Sequence, residues 1–166
     1  LPAIELLQAR LDVVEVDGGT DYRRLKMERL RVYHVANPGG PAPEAEFARI
    51  FQELKDTEEE KQPLDVEGRR IPYRKRAGGL VWFDFAALCG GPRSYADYVD
   101  LARRFHTVLL TGVPRMSPKN ADSARRFTWL VDVFYDDRVK MIIGAEAQPD
   151  DLFAGGDHAG GDLKTA

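Results

Sequence analysis

Between Phe105 and Phe153 the apolar pattern leaves few folds open. Thr107–Thr111 (TVLLT) is continuously apolar, as a strand must be when helices cover both faces of a parallel sheet. Ser117-Pro118 then supplies a cap and a proline suited to the first helical position. Residues 118–136 carry Phe127, Leu130 and Phe134 on one helical face, and Val139–Ala145 (VKMIIGA) is a second apolar run. A preceding helix is expected over Ser94–Phe105. There Ser94 and Asp97 have capping-box spacing, and Tyr98, Leu101, Ala102 and Phe105 share a face. Residues 94–153 are therefore read as a βαβ unit with its leading helix.

The upstream residues extend the same reading. Ile4–Ala9 is expected to end a helix, and Leu11–Val16 and Val32–Val35 are expected to be short strands. Residues 36–43, with NPGGPAP, are expected to be a linker, since prolines lack donors and glycines are entropically loose. Glu44–Lys55 places Phe47, Ile50, Phe51 and Leu54 at i, i+3, i+4 and i+7, which predicts an amphipathic helix. Asp56–Lys61 (DTEEEK) reads as a solvated loop. Residues 64–85 read as strand–turn–strand, a β-ribbon insertion at one side of the sheet, with Pro72 marking an edge. The Gly- and Asp-rich residues 154–166 are expected to be a flexible tail. The fold class expected is α/β, a partly parallel sheet flanked by helices with a small antiparallel ribbon.

Composition narrows the function. A net charge of −3 argues against a general nucleic-acid binder. One cysteine, Cys89, excludes an intrachain disulfide framework and fits a reducing compartment. No apolar run approaches the roughly 20 residues of a membrane span. The chain opens on Leu1-Pro2 with neither an initiator methionine nor a signal-peptide pattern, and is expected to be part of a longer polypeptide. No G-x-x-x-x-G-K-S/T phosphate loop occurs in the 166 residues.

The motif order carries a family resemblance. LPAIELL, LDVVEVDGGTDYRR, VYHV, WFDFAALC, GGPRSYADYVDLARRFHTVLLTGVPRM and SARRF-WLVDVFYDDRVKMIIGAEA-PDDLF resemble the C-terminal half of the ZapE family of phosphate-loop ATPases. The similarity covers nearly all of residues 1–153. It implies a phosphate-loop NTPase-like half-fold belonging to a cytoplasmic, ATP-hydrolysing protein of bacterial cell division. The family's Walker A loop, Walker B acids and sensor strand would precede Leu1, and an Arg-Thr-x-Ser-Arg-Leu motif would follow Ala166. ATP and magnesium would therefore belong to the full-length parent, reached through the preceding half, and this chain alone is expected to be inactive with neither bound. A division-ring protein is the implied partner, and the resemblance leaves a homo-oligomer open.

Candidate site residues come from charge. Arg125 and Arg126 are candidates for an arginine finger or sensor, because a guanidinium is always charged and stabilises a transferring phosphoryl group. They lie 100° apart on a helix, so they cannot share a face. The plainer alternative is an internal ion pair with Asp132, Asp136 or a neighbouring loop carboxylate. Arg69, Arg70, Arg74, Lys75 and Arg76 form a basic ribbon that could bind an acidic partner, or single-stranded nucleic acid stacked on Tyr73. The alternative is an edge strand protected by charge and neutralised by DTEEEK. Thr111-Gly112 ends a strand where a Walker B element would need acids, and is read as structural. Trp82 and Asp84 should face away from Phe83 and Phe85, with Arg103 or Arg104 as a guessed donor to Asp84. His34, His106 and His158 lack metal-ligand spacing, and Cys89 reads as a buried, inert thiol.

Overall fold

The computed structural model describes residues 32–36 and 43–153. The strand expected at Leu11–Val16, the helix ending near Ala9, most of the linker, the tail and His158 lie outside the described residues.

Among the described residues, seven strands and four α-helices follow in chain order. They are β1 (Tyr33–Val35), α1 (Pro43–Leu54), β2 (Asp65–Val66), β3 (Arg69–Arg70), β4 (Lys75–Ala77) and β5 (Leu80–Asp84). Then come α2 (Phe85–Cys89), α3 (Tyr95–Arg104), β6 (Thr107–Val113), α4 (Ala121–Asp136) and β7 (Lys140–Ala145). Single 3₁₀ turns at Pro118–Asn120 and Pro149–Asp151 precede α4 and follow β7.

The main sheet has the order β1-β7-β6-β5-β4. β1, β7, β6 and β5 are mutually parallel, and β4 closes one edge antiparallel to β5. Alternation along the strands sorts the core into two layers. Leu80, Trp82, Leu109 and Ile142 meet Phe47, Ile50, Phe51 and Leu54 of α1 on one face. Val81, Phe83, Val108, Leu110, Met141 and Ile143 meet α2, α3 and α4 on the other. Trp82 and Phe83 thus point oppositely, as a period of two requires.

The 64–85 ribbon differs from the expectation. Only β2 and β3 form a separate two-stranded sheet, while β4 and β5 belong to the main sheet. Pro72 lies in neither strand, and the run on both sides of it breaks into β3 and β4. Its missing donor explains the interruption. Glu67 (φ 51°) and Gly68 (φ 78°) both take positive φ at the β2–β3 turn, the requirement of a two-residue type I′ hairpin. The linker reading also shortens, because Pro43 is the first residue of α1, where its missing N–H costs nothing.

Local signals set the helix ends. Ser94 and Asp97 form a complete capping box at α3, and Ser117 with Asn120 forms another before α4. At the end of α4, Val139 N–H donates to Phe134 O at 2.8 Å and Arg138 N–H to Tyr135 O at 3.0 Å. This is a Schellman closure, with Arg138 at φ 61° in the position glycine usually takes.

Candidate functional site

The two α4 arginines separate as their spacing requires. Arg125 is exposed over 57% of its side chain and donates from Nη2 to Asp122 Oδ1 at 2.7 Å. Its guanidinium lies 5.9 Å from the Trp129 ring centre. Its carboxylate is Asp122, one turn earlier, and not Asp132 or Asp136. Arg126 is half-buried and donates from Nη1 to Cys89 O at 3.0 Å.

That bond completes an unusual helix end. A helix leaves its last four carbonyls without intrahelical donors. In α2 all four are taken: Ala86 O by Gly90 N–H, Ala87 O by Arg93 Nε–H, Leu88 O by the Tyr98 hydroxyl, and Cys89 O by Arg126. The distances are 3.1, 3.0, 2.7 and 3.0 Å. The sequence reading missed α2 itself, taking Phe85 as the end of a strand. The apolar Phe85–Leu88 run has no period of its own at five residues.

Cys89 is a fully buried free thiol. Burial pushes its pKa from the ordinary 9.0 up to about 12, against smaller lowering effects of the Tyr98 hydroxyl, Arg126 and Arg93. Burial likewise raises the Tyr98 and Tyr33 phenols. The folded state therefore holds the thiol proton more tightly than the unfolded state. This stability is fully present below pH 9.0 and is lost as pH rises toward about 12. Melting curves are expected to fall with rising pH from about pH 9, the phenols adding above about pH 10. Cys89→Ala should remove the first part of that fall, and an unchanged slope would contradict the assignment. Native Cys89 should also resist thiol reagents that label the denatured chain.

The basic ribbon is neutralised within the chain. Arg69 Nη2 meets Asp97 Oδ2 at 2.6 Å, Arg70 meets Asp65 at 3.4 Å, Lys75 meets Glu59 at 3.6 Å and Arg76 meets Glu60 at 3.4 Å. Arg74 bridges Glu44 at the start of α1 and Asp84 Oδ1, the latter at 2.9 Å. The donor to Asp84 is therefore Arg74, not Arg103 or Arg104. Two of these six carboxylate contacts come from the DTEEEK loop. That loop also lies along the sheet edge, where Glu60 N–H donates to Arg76 O at 2.8 Å. An open cleft of about 430 Å³ runs between residues 59–64 and 70–75, with the Tyr73 hydroxyl donating to Gln62 O at 2.7 Å.

Thr111 closes a polar relay at the strand ends. Its hydroxyl accepts from Trp82 Nε1–H at 3.0 Å and donates to Asp84 Oδ1 at 3.2 Å. Thr111 and Gly112 together oppose Gly144 in a β-bulge, with Gly112 at φ 80°. His34 packs edge-on to Phe47 at 5.1 Å, and His106 Nδ1 lies 2.8 Å from Thr107 Oγ1. Among the described residues no three His, Cys, Asp or Glu side chains cluster to hold a metal. No described helix is long and apolar enough to cross a membrane. The strand end at Thr111-Gly112 offers no acid, and no lysine-bearing glycine loop is available for a triphosphate. The described residues at this strand end do not fit a magnesium–ATP site.

The architecture is that of an α/β protein built on a mostly parallel sheet with helices on both faces. The chain belongs to the AFG1-like ATPase family, whose profile matches residues 1–164. It is 33% identical over 155 residues to an uncharacterized protein of Schizosaccharomyces pombe, covering 92% of this chain and 34% of that protein. It is 32% identical over 166 residues to lactation elevated protein 1 homolog B of Danio rerio, covering 96% of this chain and 32% of that one. With cell division protein ZapE of Escherichia coli it shares 32% identity over 156 residues, covering 93% and 41%. The chain thus spans between about a third and two fifths of these curated relatives' lengths. No solved structure shows significant similarity to it.

Proposed function

We propose that this chain is the C-terminal scaffold segment of a cytoplasmic, ATP-hydrolysing protein of bacterial cell division, whose ATP and magnesium are held by the preceding half. Arg125 is the cation it offers to the nucleotide phosphates. The family membership supports the hydrolytic part, and the name of the Escherichia coli relative supports the setting and a division-ring partner. The observation that carries the arginine is exposure. Arg125 is held by a surface pair with Asp122, whose net worth is about 0–1 kcal/mol, and by its contact with the Trp129 ring, so it can leave for a stronger anion. Arg126 is the weaker candidate, because it is engaged at the end of α2.

In the full-length protein, Arg125→Ala should lower ATP turnover at least about a hundredfold, as removal of an arginine finger does, with an unchanged melting temperature. Arg126→Ala should instead cost about 1–2 kcal/mol of stability by orphaning Cys89 O. Undiminished turnover in the Arg125 variant would end the reading. A partner docking through Arg69, Arg70, Arg74, Lys75 and Arg76 would have to displace the intrachain carboxylates that each already faces.

A further inference from the structure

Among the described residues one large apolar side chain is left open to solvent. Tyr95, at the first position of α3, keeps 46% of its surface exposed. Nothing in the fold asks for an aromatic ring there. Ser94 and Asp97 complete the α3 cap, and the Tyr95 hydroxyl makes no hydrogen bond among the described residues.

The ring has company. It packs edge-on to Trp129 of α4, with centroids 6.3 Å apart and planes at 71°. Trp129 is itself half-buried, and the Arg125 guanidinium lies 5.9 Å from its ring centre. A strip of three neighbours, Arg125, Trp129 and Tyr95, therefore crosses from α4 to α3. A lone apolar residue on a surface needs no account, but Arg, Trp and Tyr side by side are the types in which binding energy concentrates at interfaces.

Arg125 ties this strip to the nucleotide. Turning toward a phosphate, it gives up the Trp129 ring together with Asp122. That ring face is then left to water unless a surface closes over it. Arg125 and Trp129 are one helical turn apart, so whatever polypeptide holds the phosphate comes within an arginine's length of both rings. The curated relatives carry more than half of their length outside the matched region, which supplies such a polypeptide in proteins of this family.

We infer that the Arg125–Trp129–Tyr95 strip is the docking face for the preceding, ATP-holding half of the same polypeptide. What that half holds rests on the function proposed above, while the contact itself rests on the strip. Docking covers both rings and leaves Arg125 at the margin of the contact, where it turns to the phosphates.

Photo-cross-linking in the full-length protein tests this. Tyr95→p-benzoylphenylalanine keeps an aromatic ring at an exposed position, so the fold accommodates it. Irradiation should join residue 95, within one chain, to a peptide that precedes Leu1. In the unsubstituted full-length protein, hydroxyl radicals should modify Tyr95 as slowly as the fully buried Tyr98. Absence of that cross-link, or a cross-link to residues 1–31, to a second copy or to another protein, would overturn the docking face. So would Tyr95 modified many times faster than Tyr98. The turnover of Arg125→Ala judges the cation separately. The expected cross-link with undiminished turnover keeps the docking face and removes the phosphate role of Arg125. An open Tyr95 with turnover lost does the reverse.

Discussion

Replacing Phe47 with alanine is expected to destabilise the chain by about 3–5 kcal/mol, the usual cost of emptying a buried aromatic site. Phe47 is fully buried and is the first anchor of α1 on the sheet. Its ring contacts Trp82 and His34, at 6.2 and 5.1 Å between centroids, and brings its Cε1 and Cζ carbons against Gly144 of β7. A Cβ on Gly144 would stand 3.1 and 3.2 Å from two Phe47 ring carbons and 3.4 Å from the Thr111 methyl. The two residues therefore form one steric unit. Gly144→Val should cost about 2–3 kcal/mol through overpacking. In a Phe47→Ala background the valine has room, and its cost should shrink or reverse. Denaturant melts of the four proteins in this cycle measure the coupling, expected at about 1–3 kcal/mol. Strictly additive losses would mean that α1 does not dock through this pair.

The same helix illustrates what could be read from residues alone. Phe47, Ile50, Phe51 and Leu54 announce α1 by spacing, and all four are buried. The α3 and α4 helices and strands β6 and β7 were equally legible, because each carries a local helical period, a cap or an unbroken apolar run. The strand read at Val32–Val35 stands at Tyr33–Val35, and its parallel pairing with β7 follows no local signal. The position of β5 is a further case. A hairpin after Gly78-Gly79 looks the same in sequence whether it stands alone or inserts beside β6. Only the register of Leu80 against Thr107 and Trp82 against Leu109 decides, and that is long-range.

Site residues divide along the same line. Helical arithmetic separated Arg125 from Arg126 correctly, yet could not say which neighbour each would meet. Asp122 lies on the same helix, three residues before Arg125, and could have been weighed from the sequence. Cys89 O, 37 residues from Arg126, could not be foreseen without α2. Arg93 and Tyr98 went unrecognised as caps for the same reason.

The second large effect is expected at Asp97, whose capping role was legible and whose ion pair was not. The side chain is fully buried. Its Oδ2 accepts from Ser94 N–H at 2.8 Å, completing the α3 cap, and from Arg69 Nη2 at 2.6 Å. It therefore ties the β2–β3 hairpin to α3, a junction that Arg104 reinforces by donating to Asp65 O at 2.6 Å. Asp97→Ala should cost about 3 kcal/mol, roughly 1 from the cap and the remainder from the lost pair and the space left. Arg69→Ala should cost about 2 kcal/mol, since it leaves a buried carboxylate with the Ser94 amide as its remaining donor, while the arginine itself is half-exposed. The double variant should lose less than the sum, because removing both partners leaves no unpaired buried charge. Asp97→Asn keeps an acceptor for Ser94 N–H but places an amide donor at the Oδ1 position, where no partner exists. It should therefore recover the cap without recovering full stability. Amide hydrogen exchange gives the decisive reading: in Asp97→Ala the Ile71 amide, bonded to Leu64 O at 2.9 Å, should exchange faster than the β6 amides. Uniform acceleration across hairpin and sheet would show that Asp97 supports the whole domain and not this junction.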